Sequence, residues 1–288
     1  MTYDAWFESY MSLYKRKIKP KTRESYDHLH AAIISPVLGA LDLDAITPEH
    51  VQLVLLDAGG HGGRTAQITY ALMHAVFRRA LRSRLVAWSP VEAIDKPEHA
   101  ATIGCALNNQ AYEAVMPYVV EDLGLSLAVL AGLRRGEICG LQWQDVDLRE
   151  GVLHVRRTRV RVNHQLITQT PKSAAGVRDV PILPELAALL RSAYQLKPRA
   201  WVYDLAPESL NRRWAAIQRA AQLPQPFRLH DLRHTFVTRL LLSGCNPRVV
   251  QYVAGHSTLD MTMRIYAHVT ADDARREIAS MMRRANAI

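Results

Sequence analysis

Apolar residues at helical spacing set the pattern of the first hundred positions. Trp6, Tyr10 and Leu13 recur at i, i+4 and i+7, with Phe7, Met11 and Tyr14 alongside, and predict a helix with one wide apolar face. A basic stretch from Lys15 to Lys21 follows, Pro20 breaks the helix, and Thr22 is placed to cap a second helix running toward Ile34. Thr47-Pro48-Glu49 opens a third: a cap, a proline at the first helical position and an acid favoured by the helix dipole. That helix is expected to end before Gly59-Gly60. A long helix from about Thr65 to Arg84 then carries the face Ile68, Leu72, Val76 and Ala80. Ser89-Pro90 closes the unit, and Lys96-Pro97 with the weakly patterned stretch to Gly104 reads as a linker.

Beyond the linker the period changes. Helices are expected near 109–120 and 123–132. Residues 152–162 (VLHVRRTRVRV) then alternate apolar and basic, as one strand with a charged face would. Asn163-His164 can turn the chain back into Leu166 to Thr170, and a loop from Pro171 to Gly176 leads to a third short strand at Val177 to Ile182. Helical patterns resume at Pro184 and at Ser209 and run to the end. The predicted class is mainly α with a small antiparallel β-sheet (α+β). The predicted organisation is a helical domain at 1–95, a linker at 96–106, a second domain at 107–270 and a helical tail at 271–288.

Composition narrows the function. At 288 residues, with 49% hydrophobic and 22% charged positions, the chain is globular and long enough for two cores. No run of 18 apolar residues or basic-then-apolar leader occurs, so neither a membrane span nor secretion is expected. Cys105, Cys139 and Cys245 lie far apart, which argues against a disulfide framework or a thiolate zinc site and suits a reducing cytoplasm. The net charge of +9 is uneven: residues 1–98 hold 12 Lys+Arg against 11 Asp+Glu, and residues 99–288 hold 24 against 16. A polyanionic partner for the second half, most simply nucleic acid, follows.

Four segments carry candidate chemistry. Ala131-Gly132-Leu133-Arg134-Arg135-Gly136-Glu137 turns into a helix with two arginines and an acid. Lys172 lies just beyond a strand, and His230-Asp231-Leu232-Arg233-His234 places His230 and Arg233 on one helical face. Gly255-His256-Ser257 is followed, ten residues after the histidine, by Tyr266. Each alone has a plain structural explanation, since short motifs recur by chance. His230 and His234, at i, i+4, have the spacing of a zinc pair. Arg233 beside them, the missing glutamate and the lack of a third ligand argue against a metal.

Taken together, the segments resemble the tyrosine recombinase (phage integrase) family. GLRRGE is similar to its first arginine box, TPKSAAGVRDVPI to its β-hairpin lysine, HDLRHTF to its HxxR box and AGHSTLDMTMRIYAH to its final histidine and tyrosine. PKTRESY, VLGALDLDAITPEHV and the long helix ending WSP resemble its core-binding (SAM-like) domain. The resemblance implies a core-binding domain and a catalytic domain closing on DNA as a clamp. It further implies a site-specific recombinase, most simply the integrase of a phage or other mobile element, with a chromosome-dimer or cassette resolving recombinase and a catalytically silent DNA-binding protein as alternatives. Tyr266 would be the nucleophile, forming a 3′-phosphotyrosine without metal, ATP or cofactor. Arg134 and Arg233 would grip the phosphate, His230 would serve as acid and base, His256 would donate a hydrogen bond and Lys172 would protonate the leaving oxygen, while Glu137 orients an arginine or histidine. Lys19, Lys21, Arg64, Arg157, Arg159 and Arg161 are candidate DNA contacts. The implied partners are double-stranded DNA with a specific recombination site, further copies of the chain (a monomer in solution, a homotetramer on DNA, linked by the tail) and a directionality factor, in the cytoplasm with the nucleoid.

Overall fold

Thr2 caps the first helix, its hydroxyl accepting from the Ala5 N–H at 3.4 Å, and α1 (Tyr3–Leu13) follows. Tyr3, Trp6, Phe7, Tyr10 and Met11 form its buried stripe. Leu13 and Tyr14, expected on that face, are exposed, and the Arg79 guanidinium covers the Tyr14 ring at 3.8 Å. The second helix, α2 (Pro20–Leu29), begins earlier than the Thr22 cap predicts. Lys19 occupies its N-cap and Pro20 its first turn, where a missing N–H costs nothing. One π-helical turn, His30–Ile34, joins α2 to α3 (Ser35–Leu38) beside Pro36, which has no N–H to give the α-helical ladder.

The fourth helix, α4 (Pro48–Gly60), has its amino end held by a bond from the Thr47 N–H to His50 Nδ1 at 3.2 Å. It continues through Gly59-Gly60 instead of stopping before them. The break falls at Gly62, where φ is +112°, a conformation that glycine alone adopts freely. Helix α5 (Gly63–Arg82) then buries Ala66, Thr69, Leu72, Met73, Val76, Phe77 and Ala80, with Ile68 only partly covered. Trp6 Nε1 donates to the Val76 carbonyl at 3.2 Å and ties α1 to α5 inside one core.

The computed structural model describes residues 1–99, 104–171, 173–196, 200–266 and 275, without the side chains of 264–266. It divides into two compact units, Met1–Thr102 and Ile103–Ile288. The expected tail at 271–288 lies outside the described residues except for 275, as do residues 100–103 of the expected linker. No helix among the described residues is long and apolar enough to cross a membrane.

The second unit opens with α6 (Asn109–Val119), capped by Asn108, and α7 (Leu123–Leu130), capped by Asp122 and buried from Gly124 to its end. After the short α8 (Arg135–Gly140) come β1 (Val146–Asp147), β2 (Val152–Val155), β3 (Thr158–Val162), β4 (Gln165–Gln169) and β5 (Arg178–Pro181). The single strand expected over 152–162 is two strands in two antiparallel sheets. One has the order β1-β2-β5, and the other is the hairpin β3-β4. Arg156 and Arg157 make the break. Arg156 turns to Asp179 (2.6 Å) and the Arg178 carbonyl, while Arg157 turns to Asp145 (2.5 Å) and Gln142. A side chain at Gly140 would meet the Arg157 carbonyl at 2.8 Å, so α8 packs directly on the chain at this point. Asn163 and His164, with φ of 45° and 65°, form the expected hairpin turn.

The remaining helices are α9 (Pro184–Gln195), α10 (Pro207–Ala220), α11 (Leu229–Leu242), α12 (Pro247–Ala254) and α13 (Leu259–Tyr266). Helix α10 starts two residues before the expected Ser209 because Pro207 suits its first turn. Trp214 is buried and donates from Nε1 to the Phe227 carbonyl at 2.8 Å, holding the approach to α11 against α10. Mostly helical units with small antiparallel sheets are the class the sequence predicts.

Candidate active site

The site is assembled from helix ends. Helix α7 stops at Leu130, and Gly132 turns the chain with φ +62°, its α-carbon against the Phe236 ring, where any side chain would collide. Arg134 then stands at the N-cap of α8. Its N–H donates to Glu137 Oε2 at 2.9 Å, its Nη1 to Glu137 Oε1 at 2.8 Å and its Nη2 to the Gly255 carbonyl at 2.8 Å. The Arg134 side chain keeps 35% of its surface open, whereas that of Glu137 is buried.

Helix α11 supplies the second group. Asp231, buried in its first turn, accepts from the Arg228 N–H at 2.7 Å and fixes the helix start. Two residues on, Arg233 is 2% exposed. Its Nη1 donates to the Gly132 carbonyl and its Nη2 to the Ala254 carbonyl, and no carboxylate among the described residues pairs with it. Burial, followed by the neighbouring Arg134 charge, lowers its pKa to about 9, although Glu137 opposes the shift. A guanidinium so perturbed is short of negative charge.

The corner between α12 and α13 supplies the third group. Helix α12 ends at Gly255, φ +64°, and there the carbonyls without intrahelical partners are taken up one by one. Val253 accepts from Arg178 Nε at 2.6 Å, Ala254 from Arg233 and Gly255 from Arg134. Three successive carbonyls thus hold three different guanidiniums. His256 follows, buried, with Nδ1 2.9 Å from the Thr262 hydroxyl on α13. If Thr262 donates, Nε2 carries the ring proton and can be given to an anion.

Glu137 is the one carboxylate bonded to this cluster among the described residues. Burial pushes its pKa up, but Arg178, at 3.1 and 3.0 Å from its two oxygens, and Arg134 outweigh that and hold it below the ordinary carboxylate range. His230 lies at the solvent edge with its ring 4.9 Å from that of His234, edge to face. The protein packed around it, and then the charges of His234, Arg233 and Arg134, lower its pKa to about 4. Burial and the nearby arginines lower that of His256 to about 3. Both imidazoles are therefore neutral at pH 7.

The structure brings together Arg134, Glu137, His230, Arg233 and His256 of the expected set. Tyr266 is the last residue of α13, seven positions beyond its start, and its side chain lies outside the described ones. Lys172 lies outside the described residues. Among the described residues no group of three His, Cys, Asp or Glu could hold a metal. Sequence reasoning missed Arg178, a buried arginine on β5. Its only signal is a charge set between Val177 and Val180 in a strand, which burial would forbid unless it were paired. It also missed Thr262.

The expected DNA-contact residues are placed differently from a free basic face. Arg157 is in neither strand and pairs with Asp145. Arg159 lies over the Trp201 ring at 4.4 Å and pairs with Asp204 at 3.4 Å, and Arg161 pairs with Glu208 at 3.1 Å. Acids from other elements thus oppose the charge that the alternation predicts to be open. In the first unit, Lys19 is at the N-cap of α2, Lys21 pairs with Glu24 at 2.5 Å, and Arg64 donates to Gln67 at 3.3 Å.

Two outcomes follow. In the free protein, NMR titration will find His230 and His256 changing charge near pH 4 and 3, and titration of both near 6.5 would contradict this packing. Since the unfolded chain binds those protons more readily, their contribution to stability is complete above about pH 6.5 and is lost as pH falls toward the folded values. Gly255→Ala puts a methyl 2.7 Å from the Ala175 carbonyl and 3.0 Å from the Arg178 guanidinium at positive φ. It will cost about 1–3 kcal/mol of stability in urea unfolding and more than tenfold in activity; neutrality in both would refute the α12 corner as a fixed support.

Residues 105–273 match the model of the phage integrase family, and residues 2–55 match that of the phage integrase N-terminal SAM-like domain. Over 288 residues the chain is 30% identical to the prophage phiRv2 integrase of Mycobacterium tuberculosis, spanning 94% of this chain and 75% of that one. It is 31% identical over 237 residues to the tyrosine recombinase XerD of Pseudomonas putida, spanning 74% of each. Its fold matches that of the Tn1549 transposon integrase, solved with circular intermediate DNA, at a TM-score of 0.80 and 22% identity over 98% of this chain and 99% of that one. With lambda integrase the TM-score is 0.72 at 20% identity, over 92% and 95%. This chain belongs to the phage integrase family and is a tyrosine recombinase, an enzyme of site-specific DNA recombination.

Proposed function

We propose that this recombinase is the integrase of a phage or other mobile element and that it cuts and rejoins double-stranded DNA through Tyr266. The observation that carries the chemistry is the cluster of Arg134, Arg178 and Arg233 around a single carboxylate, with two neutral imidazoles beside it. Such a cluster has positive charge to spare and donors in fixed planes, which is what a phosphodiester needs.

The phenolic oxygen of Tyr266 attacks the scissile phosphorus, a 3′-phosphotyrosyl bond forms and the bond to the 5′-oxygen breaks. The phenol, with a pKa of about 10, needs a base to release its proton. His230 is neutral at pH 7 and takes it. Lys172 gives a proton to the leaving 5′-oxygen. Arg134 and Arg233 bond the non-bridging oxygens, where charge grows in the transition state, and His256 adds one bond. Each such donor is worth about 10²–10³ in rate. The aryl ester retains the energy of the broken bond, so the reverse steps reseal DNA.

The two units close on the duplex as a clamp in this reading, with Lys19, Lys21 and Arg64 as phosphate contacts on the first. Arg157, Arg159 and Arg161 reach DNA only by exchanging their acid partners for phosphate. The protein is a monomer in solution and a tetramer on DNA, as lambda integrase is on a Holliday junction. Residues 271–288 link neighbouring subunits, and a directionality factor selects excision in the host cytoplasm. The integrase role is supported by the prophage relative, matched over 94% of the chain, against 74% for XerD.

A nicked suicide site tests the chemistry. Wild type will trap a covalent protein–DNA adduct in EDTA, and Tyr266→Phe will trap none. Adduct formation undiminished in Tyr266→Phe, or lost on chelation, would overturn the mechanism.

A further inference from the structure

We propose that Arg178 is a positioning residue for strand cleavage: by sharing Glu137 with Arg134, it keeps the Arg134 guanidinium net positive toward the scissile phosphate. The inference rests on the reading of Arg134 as a phosphate ligand.

Arg178 is 2% exposed and touches three segments that carry the site. Its Nη1 and Nη2 reach the two oxygens of Glu137 at 3.1 and 3.0 Å. Its Nε donates to the Val253 carbonyl at 2.6 Å, and Nη1 also reaches the Gly176 carbonyl at 3.3 Å, four residues after Lys172 in the chain. Each Glu137 oxygen is shared: Oε1 between Arg178 and Arg134 Nη1, and Oε2 between Arg178 and the Arg134 N–H. The carboxylate is therefore divided between two guanidiniums instead of neutralising one.

A structural role alone is a poor account of this residue. A buried ion pair is seldom more stabilising than apolar side chains of the same volume, and Arg178 adds a third cation to a cluster where burial and Arg134 already depress Arg233. What it supplies is charge. With the imidazoles neutral, three guanidiniums against one carboxylate leave the site at +2. The phosphodiester carries one negative charge and the five-coordinate transition state two, so the site matches the transition state better than the ground state. Without Arg178, Glu137 and Arg134 form a closed pair and the site falls to +1.

Single-turnover cleavage of the suicide site by Arg178→Met, by Arg178→Lys and by each combined with Glu137→Gln tests this. Arg178→Met should cleave about 100-fold slower with duplex affinity within about threefold, and Arg178→Lys should lie between it and wild type. Adding Glu137→Gln should then restore about tenfold in either background, because it releases Arg134 from a one-to-one pair. A filler or fold-maintaining role predicts the opposite, a second loss on top of the first. Should Arg178→Met fail to fold, the Arg178→Lys pair decides alone: recovery with Glu137→Gln supports the proposal, while further loss or a wild-type rate overturns it. A wild-type protein that forms no adduct at Tyr266 would remove the reading beneath; an adduct insensitive to Arg178 would remove only this inference.

Discussion

The carbonyls of Val253, Ala254 and Gly255, at the end of one helix, each hold a different arginine, and the candidate active site is organised around that convergence. Taking a guanidinium out of water costs on the order of several kcal/mol even after the protein relaxes. Here two are buried outright and a third is about one-third open. The carboxyl end of α12 offers negative dipole and unpaired acceptors where they are needed, and the left-handed turn at Gly255 presents them in sequence. One carboxylate, Glu137, offsets part of the remaining charge, and in the proposed mechanism the rest meets the phosphate.

This shortage of negative charge adds to what burial does to the histidines. Burial, and after it the neighbouring arginine charges, hold His230 and His256 neutral at physiological pH, with pKa values of about 4 and about 3. In the proposed mechanism a neutral imidazole accepts the phenol proton, and an arriving phosphate makes the resulting imidazolium less costly. The Thr262 hydroxyl beside His256 Nδ1 ties α13, the helix that ends at Tyr266, to the histidine that follows the α12 corner. Tyr266 follows Thr262 by one helical turn, so the contact beside the imidazole lies on the helix that bears the proposed nucleophile.

Much of this was legible in the sequence, for a physical reason. Arg134, His230 and Arg233 sit at helix starts, where turn and cap residues leave local marks such as Gly132 and Asp231. What was not legible depends on partners distant in the chain. Alternation placed Arg159 and Arg161 on one strand face, but it could not disclose that Asp204 and Glu208 come 45 and 47 residues later to meet them. Nor could it show that Arg156 and Arg157 leave the strand for Asp179 and Asp145. Arg178 went unnoticed because it reads as an ordinary strand arginine until the fold buries it against Glu137. Gly59-Gly60 misled the helix boundary, since a glycine pair permits a break without requiring one, whereas the positive φ at Gly62 does require it.

The central claim is that the arginine cluster works by charge, matched to the negative phosphate. Its most direct test replaces the scissile phosphodiester of the suicide site with an uncharged methylphosphonate and compares single-turnover cleavage by wild type and Arg134→Ala. The account predicts a loss of about 100-fold or more from the substitution on the phosphodiester and less than about threefold on the methylphosphonate. Equal losses on both substrates would contradict it.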